Sequence, residues 1–338
     1  MVQCWIRRLF GLVLVLPLAL GLVGCGSLLE ATPSEEATPD VLPALTATHL
    51  SGQERLRVVA TTSLVADVVQ QVGGDTIDLQ VLVPLGADPH SFTPAPQDVA
   101  AVANADVVFI NGAGLETFLE KLLESAGAEV PVVPVSAGIT LLEGAAHAEI
   151  DAEHEDPESH HDGGDPHTWF SPRNVKLWTQ NIAESLSALD PAHSTGYAAN
   201  ARTYTKELEA LDLWITDQVA QIPPANRKLV TDHTVLTYFA EAYGFEQLGA
   251  IIPGYSTLAA PSAQDLARLE DAIRQYDVPA VFVGITLNPS IAAQVAQDTG
   301  VQLIPVYHGS LSEVGGPADT YLTFMRYNVK AIVGGLRQ

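Results

Sequence analysis

The sequence predicts an α/β protein of two lobes, each with a mainly parallel four-stranded sheet, bridged by one long rigid helix. Three observations predict it. Short valine- and isoleucine-rich runs alternate with longer amphipathic stretches, and the series occurs twice along the 338 residues. β-Branched strands alternating with helices indicate a parallel sheet covered on both faces. Between the two series lies a stretch of about 30 residues with apolar side chains three and four apart, the spacing of one helix face.

In the first series, the run at 55–60 reads as a buried strand that ends in a polar turn, and a helix follows at 64–72. A strand is expected at 77–82, a proline-rich loop at 84–96 and a short helix at 97–104. A third strand follows at 105–111, a helix at 115–125, a fourth strand at 130–135 and a helix at 172–189. The connecting helix is expected over 192–221, with Tyr197, Ala201, Tyr204, Leu208, Leu211 and Ile215 on its buried face, and Pro223-Pro224 stops it. At about 1.5 Å per residue it spans about 45 Å, enough to run along both lobes. The second series places strands at 228–231, 247–252, 280–283 and 302–306, and helices at 235–243, 262–276, 290–299 and 320–336. The expected division is a first lobe at 54–190, the linking helix at 191–222 and a second lobe at 223–338. Ligands of open α/β sheets bind beyond the carboxyl ends of the strands, so the cleft between the lobes is the expected site.

The first residues bear on compartment. Arg7 and Arg8 precede an apolar run at 9–23, short of the roughly 20 residues of a membrane span. It closes on Leu22-Val23-Gly24-Cys25, which resembles a bacterial lipobox. Residues 1–24 are therefore read as a lipoprotein signal peptide, with Cys25 as the lipid-bearing first mature residue; an uncleaved helical anchor is the alternative. Residues 25–53, rich in Pro, Thr, Ser, Glu and Ala, read as a disordered tether to the membrane. The other cysteine, Cys4, lies inside the signal, which excludes a disulfide framework, a thiolate metal site or a cysteine nucleophile beyond the anchor.

Charge narrows the partners. With 16 basic and 40 acidic residues, a net charge of −24, the chain lacks the footprint of a nucleic-acid binder and suits a protein that attracts cations. Plain solubility explains the charge equally well. The acidic, histidine-rich segment 143–165, with His147, His154, His160 and His161, reads as an exposed loop that collects metal weakly or simply stays solvated.

Three other histidines stand at strand ends beside an aspartate. His90 lies in Asp88-Pro89-His90, where prolines stiffen the loop. His167 lies in Asp165-Pro166-His167, followed by Trp169 and Phe170, which would wall the site from water. His233 follows Asp232 at the end of a strand. Neutral imidazoles bind zinc, copper, nickel and iron, and each aspartate would orient its ring as an outer acceptor. The first two histidines come from one lobe and the third from the other, so an ion held by all three would pin the lobes together.

The segments VVATTSLVADVVQQVGGD, VLVPLGADPHSFTPAPQDV, NADVVFINGAGLETFL, DPHTWFSPRNV, VTDHTVLTYFAEAYGF and GGPADTYLTFMRYNVKAI occur in one order over residues 54–338. In that combination the chain resembles the metal-receptor lipoproteins of ABC importers, which include zinc and manganese receptors once described as adhesins. The resemblance implies two four-stranded lobes bridged by a long helix, a membrane permease as partner, and three ligands at His90, His167 and His233. It also implies a carboxylate as fourth ligand, and here the chain departs. Gly254 stands where manganese receptors carry a glutamate, and Gly309 where many members carry an aspartate. His308, water or a loop histidine would complete the shell. Loss of carboxylates favours Zn²⁺ over Mn²⁺, which prefers oxygen donors; manganese, iron and copper stay open. A monomeric transport receptor is expected rather than an enzyme. Three histidines and a water also make hydrolytic zinc sites, but there is no HExxH pattern and no glutamate placed as general base. An adhesin finds no support in repeats or an aromatic array.

Overall fold

The computed structural model describes residues 41–50, 54–127, 129–142, 164–286 and 288–337. The first lobe runs β1 (Leu56–Ala60), α1 (Ser63–Gly73), β2 (Ile77–Val81), α2 (Pro96–Ala103), β3 (Val107–Ile110), α3 (Leu119–Ala126), β4 (Val132–Pro134) and α4 (Pro172–Leu189). The second runs β5 (Lys228–His233), α6 (Thr237–Tyr243), β6 (Glu246–Ile252), α7 (Ala263–Gln275), β7 (Ala280–Gly284), α8 (Ser290–Thr299), β8 (Gln302–Val306) and α9 (Tyr321–Leu336). Helix α5 (Ser194–Val219) joins them. The sheet orders are β2-β1-β3-β4 and β6-β5-β7-β8, and every pairing is parallel. The starts of α1, α7 and α9 are fixed locally by side-chain caps, where Thr62 accepts from the Val65 N–H, Ser262 from the Asp265 N–H and Thr320 from the Thr323 N–H.

Helix α3 starts four residues later than its apolar pattern suggests. Glu116 is drawn into the core to accept from the amides of Asn111 and Gly112 and from Thr61 Oγ1, which keeps 112–118 in turns. Strand β5 runs two residues longer than expected and ends on His233.

Helix α5 buries Tyr197, Ala201, Tyr204, Leu208, Leu211, Ile215 and Val219. It packs on α1 and α4 of the first lobe and on α9 of the second. The core follows it. One apolar cluster runs from β1, α1 and α4 through α5 to α6, β8 and α9, while each lobe keeps a smaller cluster under its outer helices, α2–α3 and α7–α8. Full burial of each such side chain contributes about 1.5–3 kcal/mol, so the lobes are held together by the same apolar packing that folds them.

Residues 41–50, read from composition as tether, lie on this body. Leu42, Leu45 and Leu50 are half-buried against the core, and the Thr48 N–H donates to the Leu189 carbonyl at 2.8 Å. Spaced leucines supply enough apolar surface to dock a segment that lacks helical or strand periodicity. Cys25, the signal peptide and His147, His154, His160 and His161 lie outside the described residues. Among the described residues no helix is long and apolar enough to cross a membrane.

Candidate metal centre

The parallel strands end on one side, and the histidines stand there. His90 is in the loop after β2, His167 in the loop before α4, His233 closes β5, and His308 follows β8 by two residues. The ring centroids of His90, His167 and His233 are 5.2, 5.6 and 5.1 Å apart. Imidazoles on a tetrahedral zinc with bonds of about 2.0–2.1 Å have centroids roughly 5 Å apart. The facing nitrogens, Nε2 of His90 and Nε2 of His167, are separated by 3.1 Å, close to the roughly 3.3 Å expected of two ligands on one such ion. One ligand atom from each of the three lies within 4.8 Å of the others.

Asp165 and Asp232 do for two rings what the sequence suggests. Asp165 Oδ1 accepts from the backbone N–H of His167 at 2.8 Å and from its Nδ1 at 2.7 Å. Asp232 Oδ1 holds the backbone N–H and Nδ1 of His233, both at 2.7 Å. A ring that donates from Nδ1 leaves the Nε2 lone pair for a metal. Asp88 behaves differently. It accepts from the His90 backbone N–H at 3.1 Å and from Thr257 Oγ1 at 2.5 Å, so it fixes the loop and bridges to the second lobe.

Asp165, expected at the edge of an exposed loop, is fully buried. Burial pushes its carboxyl up to about 7. Burial also drives His167 well below its ordinary value, helped by the His233, His90 and His308 rings. It lowers His308 to about 4, against the pull of Asp232. Burial alone would raise Asp232, but the His308 and His233 rings and the Gly284 N–H outweigh it and hold the carboxyl down at about 2. Burial thus favours the neutral ring at His167 and His308 and leaves Asp232 ionised beside them, and a divalent cation requires deprotonated ligands.

The loop bearing His167 is held from both sides. Asn111 Nδ2 donates to the Pro166 carbonyl at 2.9 Å, and Glu116 anchors Asn111. Trp169 stands with its ring centroid 5.2 Å from that of His167 and donates from Nε1 to the His308 carbonyl in the other lobe at 2.9 Å. The cavity, lined by all four histidines with Asp88, Trp169 and Thr257, measures about 10 Å³, the space of one water-sized sphere. It suits a single ion.

His308 is buried rather than exposed on a turn. Its ring centroid is 5.3 Å from that of His233, and its Nδ1 is 3.3 Å from Asp232 Oδ1. Its ligand atoms group with Asp232 and His233, not with His90 and His167. Gly254 has φ +89°, a conformation that disfavours any side chain, and it does not line the cavity. Thr257, Asn111 and Glu116 escape sequence reasoning. The polar cluster at the end of β3 is the one signal that points to the last two.

Residues 58–335 match the family profile described as ZnuA, zinc-uptake complex component A, periplasmic. The manganese-binding lipoprotein MntA of Halalkalibacterium halodurans is 35% identical over 286 residues, 84% of this chain and 90% of that one. The iron-binding protein YfeA of Yersinia pestis is 32% identical over 286 residues, 84% and 88% of the two chains. Among solved structures, the periplasmic zinc-binding protein TroA of Treponema pallidum aligns at a TM-score of 0.73 with 26% identity, over 84% of this chain and all of that one. The Mn-bound periplasmic metal-binding protein of Candidatus Liberibacter asiaticus aligns at 0.72 with 27% identity over the same shares.

Proposed function

Because the chain belongs to the family of periplasmic zinc-uptake component A proteins, the substrate-binding receptors of metal ABC importers, we propose that its cargo is zinc, captured between the lobes on His90, His167 and His233 and handed to a membrane permease. The class is a transport receptor acting outside the cytoplasm, not an enzyme. The observation that carries the zinc reading is the donor set. Three imidazoles converge at tetrahedral spacing, and among the described residues no carboxylate groups with all three. Nitrogen donors suit zinc, whereas manganese prefers oxygen.

Capture ties loops of both lobes to one ion, and release requires a docked permease to favour a form in which those loops part. The lipobox-like segment supports anchoring through Cys25. The histidines of the acidic segment, His147, His154, His160 and His161, support weak collection of cations near the cleft.

A manganese or iron receptor is the second reading, favoured by the names of the relatives that bind those metals. Elemental analysis after loading from an equimolar mixture of zinc, manganese and iron separates the two. Zinc should dominate, and replacing His90, His167 and His233 together by alanine should abolish tight zinc binding in calorimetry. A protein that fills with manganese from that mixture would overturn the zinc reading.

A further inference from the structure

We propose that His308 supplies a fourth imidazole to the ion and that Gly284 is the residue that admits it. The proposal rests on the zinc reading and deepens it to an all-nitrogen site.

His308 is 4% exposed, and neither ring nitrogen has a hydrogen-bond partner. Nδ1 lies 3.3 Å from Asp232 Oδ1 without making a hydrogen bond, and Nε2 has no protein partner at all, so the buried Nε2 lone pair is left for a ligand such as a metal ion. The ring lines the same cavity as the other three histidines. The backbone is tethered, since the His308 carbonyl accepts from Trp169 Nε1, but the side-chain torsions are not held by any hydrogen bond. His233 already groups with both sets of ligand atoms. His308 therefore stands beside the three-histidine centre, next to His233, in the space that Gly284 leaves open. Of the carboxylates nearby, Asp232 serves His233 and the Gly284 N–H, and Asp165 serves His167 through Oδ1 while its Oδ2 has no hydrogen-bond partner.

Two glycines explain why the fourth donor is this ring. A Cβ at position 284 would stand 2.7 Å from His308 Nδ1 and 3.0 Å from Asp232 Oδ2. Gly284 does not have a positive φ, so its backbone does not demand glycine; the space does. A Cβ at position 309 would stand 2.7 Å from Pro89 Cδ. Position 309 therefore has no room for a carboxylate while the loops of the two lobes are in contact, and the ring one residue earlier takes its place.

X-ray absorption of the zinc-loaded full chain counts the imidazoles, and the visible spectrum of the cobalt-loaded protein reports four-coordinate geometry. Wild type should give four imidazoles and an intense tetrahedral cobalt band. His308→Ala should give three, with zinc affinity lower by at least about tenfold and manganese affinity little changed. Gly284→Ala keeps every histidine yet should reproduce the loss of the fourth imidazole, with a fall in zinc affinity of about 10–100-fold, the range for disturbed supporting contacts. If Gly284→Ala fails to fold, His308→Asn gives the same count without crowding. Three imidazoles in wild type, or a cobalt spectrum unchanged in His308→Ala, overturns the proposal and leaves the zinc reading standing. A wild-type protein that binds no zinc overturns both.

Discussion

Asp88 and Thr257 stand on opposite lobes and are joined at the rim of the cavity by a hydrogen bond of 2.5 Å. The same loop of the first lobe is tied again where the Gly86 N–H donates to Ser310 Oγ at 2.8 Å. The segment that carries His90 is thus fastened to the lobe that carries His233. A hydrogen bond to a charged group contributes about 1.5–3 kcal/mol. Thr257→Val should therefore speed zinc release by about tenfold, followed by stopped-flow transfer to a chromophoric chelator. Release at the wild-type rate would remove any role for this contact in holding the ion.

The aspartates beside the histidines should separate into two kinds. Asp165→Ala removes the acceptor of His167 Nδ1 and should weaken zinc binding by about 10–100-fold in calorimetry. Asp88→Ala leaves every ring acceptor described above in place. Its larger effect should fall on the release rate, so a calorimetric loss equal to that of Asp165→Ala would contradict the division.

The Glu116 contribution to the stability of the metal-free protein should fall as pH rises through the weakly acidic range, opposite in sign to that of His167 and His308, whose lowered values favour the fold as pH rises. Burial pushes the Glu116 carboxyl from 4.5 up to about 7. Between those values the folded chain keeps a proton that the unfolded chain has released, so this stability is complete below the lower value and lost by the upper. The full change is at most roughly 3 kcal/mol. Burial raises Asp67 from 3.8 to about 6, in the same direction. Glu116→Gln should remove this falling contribution between pH 5 and 7 in urea titrations. An unchanged slope would mean that Glu116 is ionised in the fold.

Thermal unfolding of the metal-free protein should be one transition, because a single apolar cluster spans both sheets through α5. Leu208 lies fully buried in it. Leu208→Ala should cost about 2–5 kcal/mol and shift the whole transition. Two separate calorimetric peaks, with only one displaced, would show independently stable lobes.

The sequence carried the architecture closely because apolar periodicity and β-branched runs are local signals. Helix α4 begins and ends where its pattern does, and the Tyr197-to-Ile215 stripe is the buried face of α5. The convergence of His90 and His233 was legible because loops at strand ends in parallel sheets share one side, whereas His167, in the loop before α4, was marked only by its Asp-Pro-His triplet. What was not legible depends on contacts between distant residues. Glu116 delays α3 because it serves amides of the β3 turn. Leu42 and Leu50 dock a stretch whose composition reads as free chain. Asp88 serves a threonine 169 residues away, and nothing beside it in sequence distinguishes it from Asp165. Gly284 looks like any strand-terminal glycine until the His308 ring is found against it.

The unbroken apolar interior has a consequence for how the importer tells a full carrier from an empty one. Swinging the halves apart like a clamshell would tear open a continuous oily seam, so departure of the cargo has to be a small local rearrangement of rim segments on a stiff frame. The transporter must then sense the posture of a few short connections around the opening, since the outline of the carrier hardly changes.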